Sequence, residues 1–303
     1  MWRALQLAKY GEGHVSPNPM VGAVITAGGR IIGEGYHRKF GGPHAEVNAI
    51  RSVKLNDIPL LKESEIYVTL EPCSHYGKTP PCADLIIKTG IPEVIIGSLD
   101  PNPVVAGNGV RRLEDAGVHV ISGILEKECR ELNRRFFKAH TSARPWIILK
   151  WAQSADGYMA RKEKNGNLRP VKFSNPLSSI WMHRERAQID AITVGKNTRE
   201  IDNPLLNVRF WGGNSPQNII IDGHIDCRDF VEELRAKGVT SLMVEGGPTL
   251  LKSFIQDNLY DEIRIETSPV VLGCGLEAPD LPSGLSLIES WQCRQNNISI
   301  FRS

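Results

Sequence analysis

The sequence predicts two α/β domains in tandem, and three observations point to this. The chain has 303 residues, about twice the roughly 100–150 at which single domains cluster. Runs of β-branched residues alternate with helical stretches along its length, the pattern of sheets covered by helices on both faces. A small, polar break, Thr141-Ser142-Ala143-Arg144-Pro145, interrupts that alternation near the middle. The boundary falls there, giving domains at 1–143 and 144–303.

Elements follow in order. A helix from about Trp2 to Tyr10 ends at Gly11-Glu12-Gly13. Val21–Thr26 and Arg30–Tyr36 read as strands joined by Ala27-Gly28-Gly29, a hairpin signal. His44 to Val53 has helical spacing, with Val47, Ile50 and Val53 on one face. A strand at Ile66–Leu70 leads to a loop bearing Pro and Cys, then a short helix near Ala83–Lys88. Val94–Gly97 is a strand, Gly107–Ala116 a helix, Val118–Ile121 a strand, and Leu125 to Ala139 one longer basic helix. The second half restarts with a strand at Trp146–Leu149. Further strands fall near Ala191–Val194, Ile219–Ile221, Ser241–Val244 and Ile263–Thr267, with helices near Ser178–Arg186, Phe230–Lys237 and Thr249–Asn258.

Composition narrows the function. Hydrophobic residues make up 41% and charged residues 23%, which excludes a disordered or fibrous chain. A net charge of +2 gives no general pull on nucleic acid or an anionic membrane, so any anion must be held by a local site. No apolar run approaches the ~18–20 residues of a membrane span. The start, Met1-Trp2-Arg3-Ala4-Leu5, carries no signal-peptide core. A cytoplasmic protein is expected, without membrane or nucleic-acid partners. Six cysteines are thinly spread except for Cys73 and Cys82, and four of eight histidines lie in the first quarter of the chain. Reduced thiols paired in this way point to metal binding or catalysis.

Three pieces carry the first chemistry: Pro43-His44-Ala45-Glu46 opening a helix, Glu71-Pro72-Cys73 at a strand end, and Pro81-Cys82 opening another helix. One imidazole and two thiolates make a good soft set for Zn²⁺, and three protein ligands leave a fourth position open, as catalytic sites do. Glu46 lies two residues beyond His44, about 200° around a regular helix, so it faces the site from beside rather than as a ligand. That placement suits a general acid and base. His-x-Glu followed by Pro-Cys resembles the signature of zinc nucleobase deaminases, although the second cysteine here follows eight intervening residues rather than two. The alternative is a structural four-ligand zinc knot with His75 as the fourth donor.

The longer motifs sharpen this reading. The run from Thr69 through Glu71-Pro72-Cys73-Ser74-His75-Tyr76-Gly77-Lys78-Thr79-Pro80-Pro81 to Cys82 resembles the deaminase half of the bifunctional riboflavin-biosynthesis deaminase/reductase family. Pro17-Asn18-Pro19-Met20-Val21-Gly22, Gly33-Glu34-Gly35-Tyr36-His37 and Asp100-Pro101-Asn102-Pro103 resemble it too. The resemblance implies a cytidine-deaminase-like three-layer α/β/α fold and hydrolytic deamination of 2,5-diamino-6-(ribosylamino)pyrimidin-4-one 5′-phosphate. It implies substrate contacts from Asn18, His37, Lys78, Asp100 and Asn102.

In the second half no Gly-x-Gly-x-x-Gly opens a helix. Val244-Glu245-Gly246-Gly247-Pro248-Thr249-Leu250 instead runs from a strand through two glycines into a helix, a suitable place for a phosphate. Together with Leu149–Gly157, Ala191–Thr198 and Asp202–Arg209 it resembles the reductase half of the same family. That resemblance implies a dihydrofolate-reductase-like domain using NADPH to reduce the ribosyl group to ribityl. Gln153, Thr198, Asp202, Gly246, Gly247, Pro248, Thr249 and Leu250 fall on the cofactor side; Arg186, Leu206, Arg209 and Glu245 fall on the substrate side. Arg186 and Arg209 suit a phosphate through planar, bidentate donors, and Lys150 could polarise the open-chain sugar. After Gln217–Asp222 the chain reaches Phe230 and Val244 sooner than family members do. The reductase half is therefore expected either to be shortened near 223–227 or to lack a stretch there in the sequence as given. A homo-oligomer is expected. Two other readings stay open: a deaminase whose second domain only holds substrate or oligomerises, and a nucleic-acid-editing deaminase.

Overall fold

Residues 1–76, 80–102, 105–223 and 225–303 are described by the structure, a computed structural model. They divide into two units, Met1–Ser142 and Ala143–Ser303.

In the first unit α1 (Trp2–Ala8) is followed by β1 (Gly22–Ala27), β2 (Arg30–Tyr36), α2 (Ala45–Ser52), β3 (Glu65–Leu70), α3 (Cys82–Thr89), β4 (Glu93–Ser98), α4 (Asn108–Asp115), β5 (His119–Ser122), α5 (Glu126–Leu132) and α6 (Arg134–Thr141). The strand order is β2-β1-β3-β4-β5. β1 pairs antiparallel with β2 and β3, while β3, β4 and β5 run parallel. Alternation along β1 separates two faces, as strand geometry requires. Ala23 and Ile25 join Ile66, Val68, Val94 and Ile96 in the core shared with Ala49, Ile86 and Leu113 of α2, α3 and α4. Val24 instead meets Ala4 and Leu7 of α1 on the opposite face. This is the expected three-layer arrangement.

Glycine sets how closely α2 approaches. A Cβ on Gly35 would lie 2.2 Å from the backbone nitrogen of Ala49, so helix and strand pack backbone to backbone. His44, the residue preceding α2, is thereby fixed at one end of the sheet. The same end collects the start of β1 and the C-terminal ends of β2, β3 and β4, because Gly22 donates its N–H to Thr69 Oγ1 and Leu70 pairs with Ser98. Four motifs distant in sequence therefore converge.

The single long helix expected over 125–139 is two helices broken at Asn133. The Asn133 side chain donates to the Met20 carbonyl and accepts the Met20 N–H, both at 2.8 Å. This tether binds the junction to the loop carrying Asn18.

The second unit comprises β6 (Trp146–Gln153), β7 (Tyr158–Lys162), β8 (Leu168–Pro170), α7 (Pro176–Arg186), β9 (Ala191–Gly195), α8 (Lys196–Asp202), β10 (Gln217–Ile221), α9 (Cys227–Ala236), β11 (Ser241–Glu245), α10 (Pro248–Gln256), β12 (Glu262–Thr267), β13 (Gly275–Glu277), β14 (Ser286–Cys293) and β15 (Asn296–Arg302). Its main sheet runs β10-β9-β11-β6-β12-β15-β14, with a small sheet β13-β7-β8 beside it. β10, β9, β11, β6 and β12 are parallel, and the C-terminal hairpin adds antiparallel strands. One face packs Ile147, Leu149, Val244 and Ile263 against Val231, Leu234, Leu251 and Phe254 of α9 and α10. The other packs Ile148, Ile192 and Met243 against Met182 of α7. Past β10, Asp226 caps α9 by accepting the N–H groups of Arg228 and Asp229. Strand and helix are thus joined by a connection of a few residues, and β10 forms the sheet edge.

Candidate active sites

In the first unit three side chains meet. His44 Nδ1 lies 3.5 Å from Cys73 Sγ and 3.4 Å from Cys82 Sγ. Zn–N of about 2.0–2.1 Å and Zn–S of about 2.3 Å at a tetrahedral angle would separate nitrogen and sulfur by about 3.5 Å. The donor set and its spacing therefore fit Zn²⁺. Among the described residues these three form the cluster able to hold a metal, and exposed His75 is not part of it. The helix start helps: the Cys82 N–H donates to Cys73 Sγ at 3.3 Å. Hydrogen bonding from Cys82, with His44 beside it, holds the Cys73 thiol down at about 4. The Cys82 thiol is pushed up by its bond to Cys73 and by burial. Cys73 therefore carries the charge of the pair, and a cation between the sulfurs would let Cys82 ionise as well.

Glu46 is buried against this cluster. Burial raises its carboxyl to about 7, and the charge of Cys73 adds to the effect. A carboxyl poised there can both take and return a proton near neutral pH.

Asn18 lies nearby through His37. His37 Nδ1 faces the Pro43 carbonyl at 3.0 Å, and Nε2 faces Asn18 Nδ2 at 3.1 Å. A carbonyl only accepts, so Nδ1 carries the proton and Nε2 accepts from the Asn18 amide. Burial lowers the pKa of His37, which favours this neutral form. The ring is 2% exposed, so His37 supports Asn18 from behind rather than presenting an open face. Asp100 and Asn102 follow β4, where Asp100 Oδ1 accepts the Asn102 N–H at 2.8 Å. Burial raises the Asp100 carboxyl. Lys78 lies outside the described residues.

In the second unit a cavity of about 1020 Å³ opens over the ends of β6, β9, β10 and β11. Its wall brings together Lys150, Thr198, Asp202, Leu206, Glu245 and the whole run Gly246–Leu250. Gly246 has φ +144°, a conformation glycine adopts readily. A Cβ there would lie 3.2 Å from Thr198 Oγ1, and that hydroxyl accepts the Gly247 N–H at 3.0 Å. The turn thus leaves a cradle that a side chain would narrow. Pro248 begins α10, so the helix's early amides come from Thr249 and Leu250. Cavity size, glycine turn and helix start fit a dinucleotide. Lys150 stands beside Glu245 in the β6–β11 register.

Three expected residues are not on the cavity wall. Gln153 Oε1 accepts the Trp151 indole N–H at 2.8 Å. The Arg186 guanidinium is taken up by Glu245. Arg209 lies over the Phe210 ring and bonds Asn207 Oδ1, while its backbone N–H donates to His183 Nδ1 at 2.8 Å. Sequence reasoning missed Lys172, Asn197 and Asp222, which do line the cavity. It also missed His183 and the bonding of Glu71. His183 gave no signal, since its burial and its bond from the Arg209 N–H arise only from packing; Lys172, in an irregular segment before α7, gave none either.

Taken together, fold and donors define a zinc deaminase of the cytidine-deaminase-like class joined to a dihydrofolate-reductase-like reductase. Comparison with known proteins agrees. Residues 1–98 match the cytidine and deoxycytidylate deaminase zinc-binding region, and residues 145–228 and 219–299 match the RibD C-terminal domain. The riboflavin biosynthesis protein RibD of Aquifex aeolicus is 37% identical over 340 residues, covering 97% of this chain and 93% of that protein. RibD of Escherichia coli is 33% identical, covering 90% of this chain and 88% of its own length. A crystal structure of a diaminohydroxyphosphoribosylaminopyrimidine deaminase/5-amino-6-(5-phosphoribosylamino)uracil reductase from Thermotoga maritima superposes with a TM-score of 0.89 at 33% identity, covering 100% of this chain and 97% of that one. The chain belongs to the RibD family, bifunctional enzymes of riboflavin biosynthesis with deaminase and reductase activities that use Zn²⁺ and NADPH. The two overlapping matches to the C-terminal domain meet at 219–228, where the sequence expects shortening. No helix among the described residues is long and apolar enough to cross a membrane.

Proposed function

We propose that the first unit deaminates 2,5-diamino-6-(ribosylamino)pyrimidin-4-one 5′-phosphate and that the second reduces the ribosyl group of the product to ribityl. The observation that carries this reading is the His44–Cys73–Cys82 cluster with Glu46 buried beside it, at the sheet end where the Asn18, His37 and Asp100–Asn102 motifs converge. When bound, Zn²⁺ supplies Lewis acidity that makes water a nucleophile near neutral pH. His44, Cys73 and Cys82 would hold it. Glu46 takes a proton from the attacking water and returns it to the leaving amine, so that ammonia departs. Asn18, oriented by His37, presents amide and carbonyl to the pyrimidine edge. Lys78, Asp100 and Asn102 complete the recognition of the ribosyl phosphate.

In the second unit NADPH supplies the hydride. Gly246–Leu250, Thr198 and Asp202 hold the cofactor, with Gln153 supporting the end of β6. Lys150 polarises the sugar carbonyl, and Leu206, Arg209 and Glu245 shape the substrate side. Arg186 acts through Glu245, whose position it fixes. The two units correspond to the domains at 1–143 and 144–303, in a cytoplasmic homo-oligomer that binds neither nucleic acid nor membrane. The β10–α9 connection, where the domain is either shortened or lacks a stretch in the sequence as given, borders the cofactor cavity through Asp222, Gly223 and Ile225.

Supplying the diaminopyrimidine phosphate with and without NADPH tests both halves. Ammonia release should occur in either case, and the ribityl product should form only with NADPH. Ammonia release without NADPH oxidation would leave a deaminase whose second unit is not a reductase. Deamination of an oligonucleotide but not of the free pyrimidine phosphate would overturn the substrate assignment.

A further inference from the structure

Glu71 immediately follows β3 and precedes Pro72 and Cys73. It is 7% exposed, and its carboxylate is occupied entirely by backbone. Oε2 accepts the N–H of Asp100 at 3.1 Å and of Gly107 at 3.0 Å. Oε1 accepts the N–H of Gly109 at 2.8 Å and of Val110 at 3.4 Å. All four donors come from the segment between β4 and the first turn of α4. A second contact joins the same two segments: a Cβ on Gly109 would lie 2.1 Å from the Pro72 carbonyl oxygen. The loop that carries a zinc ligand and the loop that carries Asp100 and Asn102 are therefore built onto one carboxylate. A buried charge is costly unless hydrogen-bonded. Here it also supplies what the four amides of a turning backbone need.

We infer that Glu71 is a positioning residue for deamination: it sets the Asp100–Asn102 segment at a fixed height over the zinc cluster and so determines substrate affinity without touching substrate or metal. This rests on the reading that Asp100 and Asn102 contact the substrate. Arg112 strengthens the join from the far side, since it donates to the Ser74 carbonyl at 3.2 Å and to Asp84 of α3 at 2.8 Å. Glu71 differs in kind from Glu46. Glu46 faces the cluster, whereas both oxygens of Glu71 are turned to backbone amides.

The chemistry of the substitution is specific. Each oxygen accepts two N–H groups, so a glutamine amide in either orientation turns its NH₂ toward two donors. Glu71→Gln should keep one zinc per chain and raise KM for the diaminopyrimidine phosphate by about tenfold or more, with kcat changed by less than about threefold. Hydrogen–deuterium exchange in the zinc-loaded protein should quicken at 107–110 and stay unchanged in β3. Glu71→Asp, which keeps the charge on a shorter arm, should fall between the two. In an Asn102→Ala background the KM effect of Glu71→Gln should largely vanish, because both act through one contact. An unchanged KM, additive effects in the double variant, or loss of zinc from both Glu71 variants would overturn the inference. Should Asn102→Ala alone leave KM unchanged, the substrate-contact reading fails. Exchange at 107–110 then decides separately whether Glu71 orders the segment, and an unchanged rate overturns that as well.

Discussion

Arg186 grips Glu245 with two hydrogen bonds, 3.1 Å from Nε and 2.8 Å from Nη2, and the two side chains are largely buried, 12% and 11% exposed. Glu245 ends β11 one residue before the glycine turn, and Arg186 ends α7. The pair therefore locks the helix on one face of the reductase sheet to the strand that leads into the cofactor cradle. An arginine expected to meet a phosphate is instead spent on a carboxylate of its own chain.

Removing one partner leaves the other charge buried alone, which typically costs about 3–5 kcal/mol. Arg186→Met should lower the stability of the reductase unit by that order and raise KM for its substrate, as followed by denaturant unfolding and steady-state kinetics. Arg186→Met with Glu245→Leu should recover stability but not activity. Stability recovered by the single variant would show that the pair is not buried in solution.

The same pair has a pH signature. Burial pushes the Glu245 carboxyl up, but the charges of Arg186 and Lys150 outweigh it and hold the group below its usual 4.5. The stabilisation is therefore complete above that value and is lost as pH falls through the depressed native one. Measured against the double variant, which lacks the carboxyl, the wild type should lose stability as pH falls below 4.5, and the difference between them should stay constant from there to neutrality. Thermal melts across that range measure it.

Glu46→Gln should retain zinc and lower deamination by about 10²–10⁴-fold, the usual size of a general acid–base contribution. Cys73→Ser or Cys82→Ser should lose both metal and deamination. Metal content by atomic absorption separates the two outcomes. NADPH-dependent reduction of the deaminated substrate should persist in all three, since the residues concerned lie in the other unit.

Gly246→Ala tests the cradle. A methyl group would meet Thr198 Oγ1 at 3.2 Å, in a conformation at φ +144° that L-residues rarely adopt. NADPH affinity, read by quenching of protein fluorescence, should fall by about tenfold, since such backbone strain costs roughly 1–3 kcal/mol. Deamination should not change.

Asn133→Leu would remove the two bonds to the Met20 backbone. Buried unpaired groups cost about 1–3 kcal/mol, so the deaminase unit should lose stability of that order. Its KM should also rise, because the tethered loop carries Asn18. Unchanged KM with lowered stability would confine Asn133 to a structural part.

Much of this was legible in the residues, and the exceptions have physical reasons. The zinc cluster could be read because its ligands sit at strand ends and helix starts, where local pattern is strong. The C-terminal hairpin could not, since its turn is Arg294-Gln295 with Arg294 at φ +56°, and neither residue signals such a turn. The break at Asn133 depends on Met20, a residue 113 positions away. Helix α8 has no buried residue and so no apolar stripe to detect. Arg186 and Glu245 are 59 residues apart; chemistry suggested a phosphate partner for the arginine, and only the packing of α7 beside β11 reveals the internal one. Glu71 shows the same limit, for its four partners are backbone groups with no side-chain signature.

The position of β15 between β12 and β14 bears on how the protein is made. The deaminase fold uses residues 1–142 alone, so it can close, and its thiols can take up metal, while the ribosome is still building the rest. The reductase sheet has no such advantage. Strand β12 lacks its antiparallel neighbour until residues 296–302 have been synthesised, so the chain gains its hydrolytic half first and its redox half only once translation has reached those residues.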